Sequence, residues 1–174
     1  MCQKVGSEEN HSLPGRMDTT LENNPVERAS IDVNAADNSA LRLLLLAVLG
    51  FGLVGLAIEL LLLGHTEETP QWIPLITITL GLVAGTVLAI RPARKTVIAF
   101  RIAMALFVIA SLAGLYFHYT GNVEFELEMY PSMAGMELFR KSMTGATPAL
   151  APGMMAQLGL MGLAITWRHP ALRR

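Results

Sequence analysis

The sequence predicts an all-α, polytopic membrane protein with four transmembrane helices. The chain has 174 residues, of which 52% are hydrophobic and only 16% are charged, whereas a water-soluble domain of this size needs more charged surface. Its apolar residues fall into four long runs that are almost free of charge. Lys and Arg flank one set of ends of these runs, and Glu is concentrated at the other. Both features are typical of helices that cross a bilayer.

Residues 1–40 are predicted to form a disordered cytoplasmic tail before a transmembrane domain at 41–174. The tail is rich in Ser, Asn, Asp and Glu, so it buries too little apolar area to offset the entropy of ordering. It lacks an apolar stretch followed by a small-residue cleavage site, which argues against a secretory signal. Cys2 is the only cysteine, which excludes an internal disulfide and paired-cysteine chemistry.

The predicted spans cover residues 43–63, 72–90, 97–119 and 149–167. The first span contains a single charge, Glu59, and its length of roughly 31 Å at 1.5 Å per residue matches one hydrocarbon core. In the third span, Arg101 lies near one end and aromatic residues lie at the other. Pro152 falls in the first turn of the fourth span, where a missing N–H costs least.

Small residues recur at helical spacing and predict close helix packing. Gly81 and Gly85 form a GxxxG pair in the second span, and Ala110 and Gly114 repeat that spacing in the third. Such residues let two helix backbones approach closely in lipid, although transmembrane helices also tolerate glycine without a packing role. The predicted packing positions are Gly50, Gly52, Gly55, Gly81, Gly85, Ala110 and Gly114.

Charge predicts the topology, because cytoplasmic loops carry an excess of Lys and Arg. The basic residues assigned to the cytoplasmic side are Arg42, Arg91, Arg94, Lys95, Arg101, Arg168, Arg173 and Arg174. The acids assigned to the outer side are Glu59, Glu67, Glu68, Glu124, Glu126, Glu128 and Glu137, opposed there only by Arg140 and Lys141. An even number of spans satisfies both assignments and leaves both termini cytoplasmic.

Two halves of the chain share a sequence pattern that suggests a duplication. The matching residues are Thr69, Pro70, Pro74, Leu80, Gly81, Leu82, Pro92 and Ala93 in the first half, and Thr147, Pro148, Pro152, Leu158, Gly159, Leu160, Pro170 and Ala171 in the second. A duplication of this kind would make two tandem helical hairpins of the same orientation, related by an axis along the membrane normal.

An outer loop at residues 120–148 separates the third and fourth spans. Residues 124–129 alternate between acidic and apolar side chains, which favours a half-buried strand. Pro131 then opens a predicted helix to Met143, with Met133, Met136 and Phe139 near one face. Such a helix would lie on the outer membrane surface.

The loop and the fourth span also carry a resemblance. Residues 118–126 (His-Tyr-Thr-Gly-Asn-Val-Glu-Phe-Glu), 145–153 (Gly-Ala-Thr-Pro-Ala-Leu-Ala-Pro-Gly) and 157–160 (Gln-Leu-Gly-Leu) resemble a group of small uncharacterised four-span bacterial membrane proteins. The resemblance covers about residues 115–171. It implies a bacterial inner-membrane protein and implies no activity.

Candidate binding residues collect at the outer face. They are Glu59, His65, His118, Glu124, Glu126, Glu128 and Gln157. Carboxylates and imidazoles together bind divalent metals or relay protons, and an intramembrane carboxylate is a functional candidate. Interfacial histidines are more often simply solvated, and their spacing matches no metal motif.

Two cofactor hypotheses are weaker. Methionine recurs from Met129 to Met161, and thioethers suit copper(I), but methionine more often fills irregular apolar gaps. A haem held by His65 and His118 would need both histidines deeper in the bilayer. We therefore predict no cofactor.

Three functions remain open at this level. The first is a non-enzymatic accessory or assembly protein that packs against itself or a larger membrane partner. The second is an oligomeric transporter or cation-binding protein that uses the acidic outer face. The third is a membrane redox or lipid-modifying enzyme. A net charge of −1 shows no nucleic-acid footprint, so the predicted partners are the lipid bilayer and membrane proteins.

Overall fold

A computed structural model of the protein describes residues 25–145 and 150–173. In these ranges the chain is all helical, which confirms the predicted class. The helices are α1 (Pro25–Leu62), α2 (Trp72–Ile90), α3 (Arg94–Met129), α4 (Gly135–Met143) and α5 (Gly153–Ile165), with short 3₁₀ turns at Thr69–Gln71 and Pro170–Leu172.

The chain divides into two compact units, residues 1–40 and 41–174. Of the predicted tail, residues 1–24 lie outside the described residues. Residues 25–40 are helical and form the first part of α1, whereas the sequence predicted disorder there. Pro25 is the first residue of the helix, a position that proline favours because its fixed φ suits the first turn.

Three helical segments are long and apolar enough to cross a membrane: Ala36–Leu62, Thr69–Ile90 and Arg94–Met129. These segments indicate a membrane protein. The fourth predicted span corresponds to α5, an apolar helix of 13 residues, whose length of about 20 Å falls short of a hydrocarbon core of about 30 Å. Just after the end of α5, the Thr166 hydroxyl donates to the Gly162 and Leu163 carbonyls. Arg168 then adopts a φ of 50°, which does not continue the helix.

The strand predicted at residues 124–129 is wrong, because α3 continues without a break to Met129. An isolated strand would leave its backbone N–H and C=O groups without a partner. Extending an existing helix satisfies one hydrogen bond per added residue, and Glu, Leu and Met are good helix formers. The predicted outer helix is present as α4, but it begins at Gly135 rather than Pro131.

Within the unit at 41–174, α3 is the central helix, since it packs against α2, α4 and α5. Its side chains Val97, Phe100, Met104 and Phe107 are fully buried. The same core includes residues of α1, α2 and α5, namely Leu49, Leu53, Ile78, Leu88, Met155, Leu158 and Ile165.

Candidate functional site

The end of α1 places His65 through a helix-capping turn. The His65 N–H donates to the Leu60 carbonyl at 2.9 Å, and the Gly64 N–H donates to the Leu61 carbonyl at 3.1 Å. Gly64 has a φ of +67°, the left-handed conformation that glycine adopts at the end of a helix. The turn therefore reverses the chain and leaves a half-buried imidazole just beyond the helix.

His118 of α3 lies near His65. Burial and the nearby His118 imidazole both lower the pKa of His65 below its ordinary value of 6.5. The His118 Nδ1 atom is buried and has no hydrogen-bond partner among the described residues. The structure therefore brings together two of the predicted binding residues.

The other candidate binding residues do not converge on this pair. Glu59 and Gln157 are exposed. On a helix, Glu124 and Glu128 share an exposed face, whereas Glu126 lies on the opposite side and is half-buried. Within 25–145 and 150–173, no three His, Cys, Asp or Glu residues are grouped as metal ligands.

Asn122, which the sequence analysis missed, joins α3 to the end of α4. Asn122 is buried, and its Nδ2 atom donates to the Ser142 carbonyl at 2.8 Å. Gly145 lies against the same amide, since a Cβ placed on Gly145 would stand 2.9 Å from Asn122 Cγ. The sequence feature that could have identified this residue is a carboxamide side chain that directly follows Gly121 near the end of the third apolar run.

A second polar contact fixes the start of α5. The Ser111 hydroxyl donates to the Pro152 carbonyl at 2.8 Å, and Ser111 is buried on α3. Hydrogen bonds of this kind between transmembrane helices contribute about 0.6–2 kcal/mol. Ser111 therefore sets the level at which α5 begins.

The GxxxG pair of α2 faces α3. Gly81 and Gly85 are both buried. A Cβ on Gly81 would stand 2.8 Å from the Phe107 ring, and a Cβ on Gly85 would stand 3.4 Å from the Phe100 ring. Glycine here lets two large aromatic rings lie against the α2 backbone.

Gly114 of α3 and Gly52 of α1 lie against Pro152 and Leu158, at the start and in the middle of α5. A Cβ on Gly114 would stand 3.0 Å from Pro152 Cβ, and one on Gly52 would stand 2.9 Å from a methyl group of Leu158. Ala110 is half-buried and packs against the core. The flexible Leu158 side chain could move away from a larger residue at 52, whereas the proline ring could not.

The remaining two predicted packing glycines are open. No atom of the described residues lies within 4 Å of a Cβ placed on Gly50 or Gly55. Gly55 is exposed on α1, and Gly50 is half-buried. Within the monomer, these two positions need no glycine for helix packing.

Two glycines of α5 that the packing prediction omitted lie directly against α3. A Cβ on Gly159 would stand 2.7 Å from the Met104 carbonyl oxygen and 2.9 Å from Phe107 Cβ. A Cβ on Gly162 would meet the Met104 side chain. Gly159 is also the residue that the proposed duplication aligns with Gly81, and both glycines contact Phe107.

Away from the histidine pair, Arg42 of α1 lies near His169, which follows α5. Burial and the neighbouring Arg42 guanidinium lower the pKa of His169 below its ordinary value of 6.5. The His169 Nδ1 atom accepts a hydrogen bond from the Ala171 N–H at 3.2 Å. Arg42 and the segment after α5 therefore lie at one end of the molecule.

Comparisons with known proteins found no matching family model, no curated protein and no solved structure.

We expect the His118→Gln variant to raise the pKa of His65 towards 6.5, because it removes one of the two causes of the shift. His169 provides the control within the same sample, since its pKa is lowered by burial and Arg42 and should not change. The measurement is a titration of ¹³C-labelled histidine by NMR in detergent micelles. An unchanged His65 titration would contradict the proximity of the two imidazoles.

The lowered pKa of His65 also predicts how the stability of the protein changes with pH. The folded protein binds fewer protons at His65 than the unfolded chain does, because the folded pKa is the lower one. The contribution of His65 to stability is therefore complete above pH 6.5 and is lost as the pH falls below 6.5 and through the lower pKa of the folded protein.

Proposed function

We propose that this chain is a small, non-enzymatic protein of the bacterial inner membrane that works by assembling with a second copy or a larger membrane partner through α1. One observation carries the proposal: α1 is the candidate span least covered by the rest of the chain. Only 11% of its apolar window is buried, against 28% for the α2 segment and 33% for α3.

The exposed face of α1 is continuous and apolar. It consists of Leu44, Val48, Phe51, Gly55, Ile58 and Leu62, which recur every three or four residues and so lie along one side of the helix. Phe51 is 83% exposed, and the open space over Gly55 would admit another helix closely. A surface that faces only lipid needs no open position of this kind, so the open space over Gly55 favours a helix as the partner.

The proposed topology has four spans, with both termini cytoplasmic. Its support is the proximity of Arg42 to His169, because a chain that begins and ends its membrane domain at the same end crosses an even number of times. α5 would be the fourth span despite its length, with its buried face on α3 and a locally thinner bilayer around it. The outer α4 exposes Met136 and Phe139 and would rest on the membrane surface.

We expect a cysteine at position 51, introduced in a Cys2→Ser background, to form an oxidative cross-link in native membranes. The matched control is Ile109→Cys, which is also exposed and near the middle of its helix, but on α3. A cross-linked species of twice the chain mass would identify a second copy, and a larger one would identify a different partner. Equal cross-linking at 51 and 109, or none at either, would contradict assembly through α1.

The same background tests the topology. A membrane-impermeant thiol reagent should label Glu67→Cys from the outside of intact cells and should label Arg94→Cys only after permeabilisation. Labelling of both positions from one compartment would overturn the arrangement.

The pairing of His65 with His118 favours the cation-binding alternative over the enzyme. Two neighbouring imidazoles at the outer end could contribute to a site for a proton or a soft divalent cation. Glu59 and Gln157, which would have completed a path, are exposed instead. Cation-dependent changes in the histidine NMR signals would support this alternative.

A further inference from the structure

A groove lies between α1 and α2 with Phe100 of α3 at its floor. It has a volume of about 250 Å³ and an almost wholly apolar lining. Gly50 and Gly85 are part of that lining, and the missing side chain at Gly50 leaves space that no described atom fills within 4 Å.

The groove occupies one half of the membrane depth. Its lining runs from Leu43 to Leu53 on α1 and from Gly81 to Ala89 on α2. These stretches span roughly 15 Å along the helix axes, about half of a hydrocarbon core. In the proposed topology, on which this inference rests, that half is the cytoplasmic leaflet.

Basic residues stand at the inner end of the groove. Arg42 directly precedes the lining residue Leu43, and Arg91 follows Ala89 by two positions. Arg94 begins α3, the helix that supplies the floor. No Asp or Glu occurs at residues 38–58 or 69–123, so the acid of α1 nearest in sequence is Asp37, which precedes Arg42 by five residues and lies outside the groove lining.

We propose that the groove binds one acyl chain of an anionic phospholipid from the inner leaflet, with the lipid phosphate at Arg42 and Arg91. The size of the groove selects the occupant: a helix is about 10 Å across with its side chains and would lie over the groove rather than in it. An acyl chain fills it and regains the dispersion contacts that an empty groove would forfeit. The arginine guanidinium is suited to phosphate.

The test uses the full chain, reconstituted into vesicles of equal parts phosphatidylglycerol and phosphatidylcholine, then extracted in mild detergent and examined by native mass spectrometry. We expect the wild-type chain to retain one phosphatidylglycerol. Gly50→Leu and Ala89→Leu should each lose it, because both side chains would project into the groove. The matched control is Gly55→Leu, which adds the same bulk to α1 at an equally open position outside the groove lining.

The charge is tested separately. Arg42→Gln should reduce the preference for phosphatidylglycerol over phosphatidylcholine about fivefold, the preference that one basic residue near a membrane surface provides, whereas Arg140→Gln on α4 should not change it. Equal retention of both lipids would overturn the headgroup assignment. No retained lipid, or retention by Gly50→Leu and Ala89→Leu variants that unfold like wild type, would overturn the site.

The outcome is distinguishable from that of the assembly proposal. Gly55→Leu should weaken the cross-link at position 51 and leave the lipid bound, whereas Gly50→Leu should remove the lipid and leave the cross-link. A cross-link at a Gly50→Cys position as strong as at 51 would show that a helix, rather than a lipid, covers the groove.

Discussion

Replacing Gly159 by alanine is expected to lower the free energy of unfolding by about 3 kcal/mol, at the upper end of the usual cost of overpacking. The new Cβ would stand 2.7 Å from the Met104 carbonyl oxygen and 2.9 Å from Phe107 Cβ. Both atoms belong to, or adjoin, the α3 backbone, so no side-chain rotation relieves the clash. α5 would have to move away from α3 as a unit.

The measurement is denaturant unfolding in micelles, followed by the fluorescence of Trp72 and Trp167. Gly153→Ala is the matched control, because it lies on the same helix and its Cβ would meet no described atom within 4 Å. Alanine should there be neutral or stabilise the helix by about 0.5–1 kcal/mol. Equal stabilities for Gly159→Ala and wild type would contradict the close contact of α5 with α3.

Replacing Asn122 by leucine is expected to release α4 from α3 and to cost about 1–3 kcal/mol, the range for a buried acceptor that loses its donor. Leucine has a similar size but cannot donate to the Ser142 carbonyl, which accepts from Asn122 Nδ2 at 2.8 Å in the wild type. Ser142 is itself fully buried, so water cannot readily replace the lost donor.

The expected signature is local: hydrogen exchange should accelerate over Gly135–Met143 and remain slow in the middle of α3. Thr120→Val is the matched control, because the Thr120 hydroxyl donates to the Tyr116 and Phe117 carbonyls of its own helix rather than to α4. If hydrogen exchange in α4 is equally slow in the Asn122→Leu and Thr120→Val variants, the Asn122 side chain does not hold α4 against α3.

Much of the fold was predictable because helix formation in an apolar run is a local property. The charge-free stretch at 72–90 appears as α2 with the same limits. The limits of the fourth span were harder to predict, since Ala151, Thr166 and Trp167 fall within the predicted 149–167 but form turns on either side of α5. The prediction of a strand at 124–129 was wrong because an alternating pattern of only six residues is a weak strand signal. The preceding helix continues through these residues instead.

The candidate site was less predictable. The proximity of His65 to His118 followed from their positions near matching ends of the predicted spans. The separation of Glu126 from Glu124 and Glu128 depends on helical rather than extended backbone. Among the glycines, composition alone did not separate Gly81, which is pressed against Phe107, from Gly55, which touches nothing in the monomer.

The sequence by itself determined that the apolar runs are helical, where α2 begins and ends, and which ends of the runs carry basic or acidic charge. Hydropathy and charge are properties of each segment alone, so they can be assessed without knowing which other segment packs against it. Only the tertiary structure decided that α3 is central, that Gly159 lies against the α3 backbone, and that Asn122 and Ser111 hydrogen-bond to the ends of α4 and α5. Those roles depend on which backbone lies opposite a residue, and that is set by packing between segments far apart in the chain.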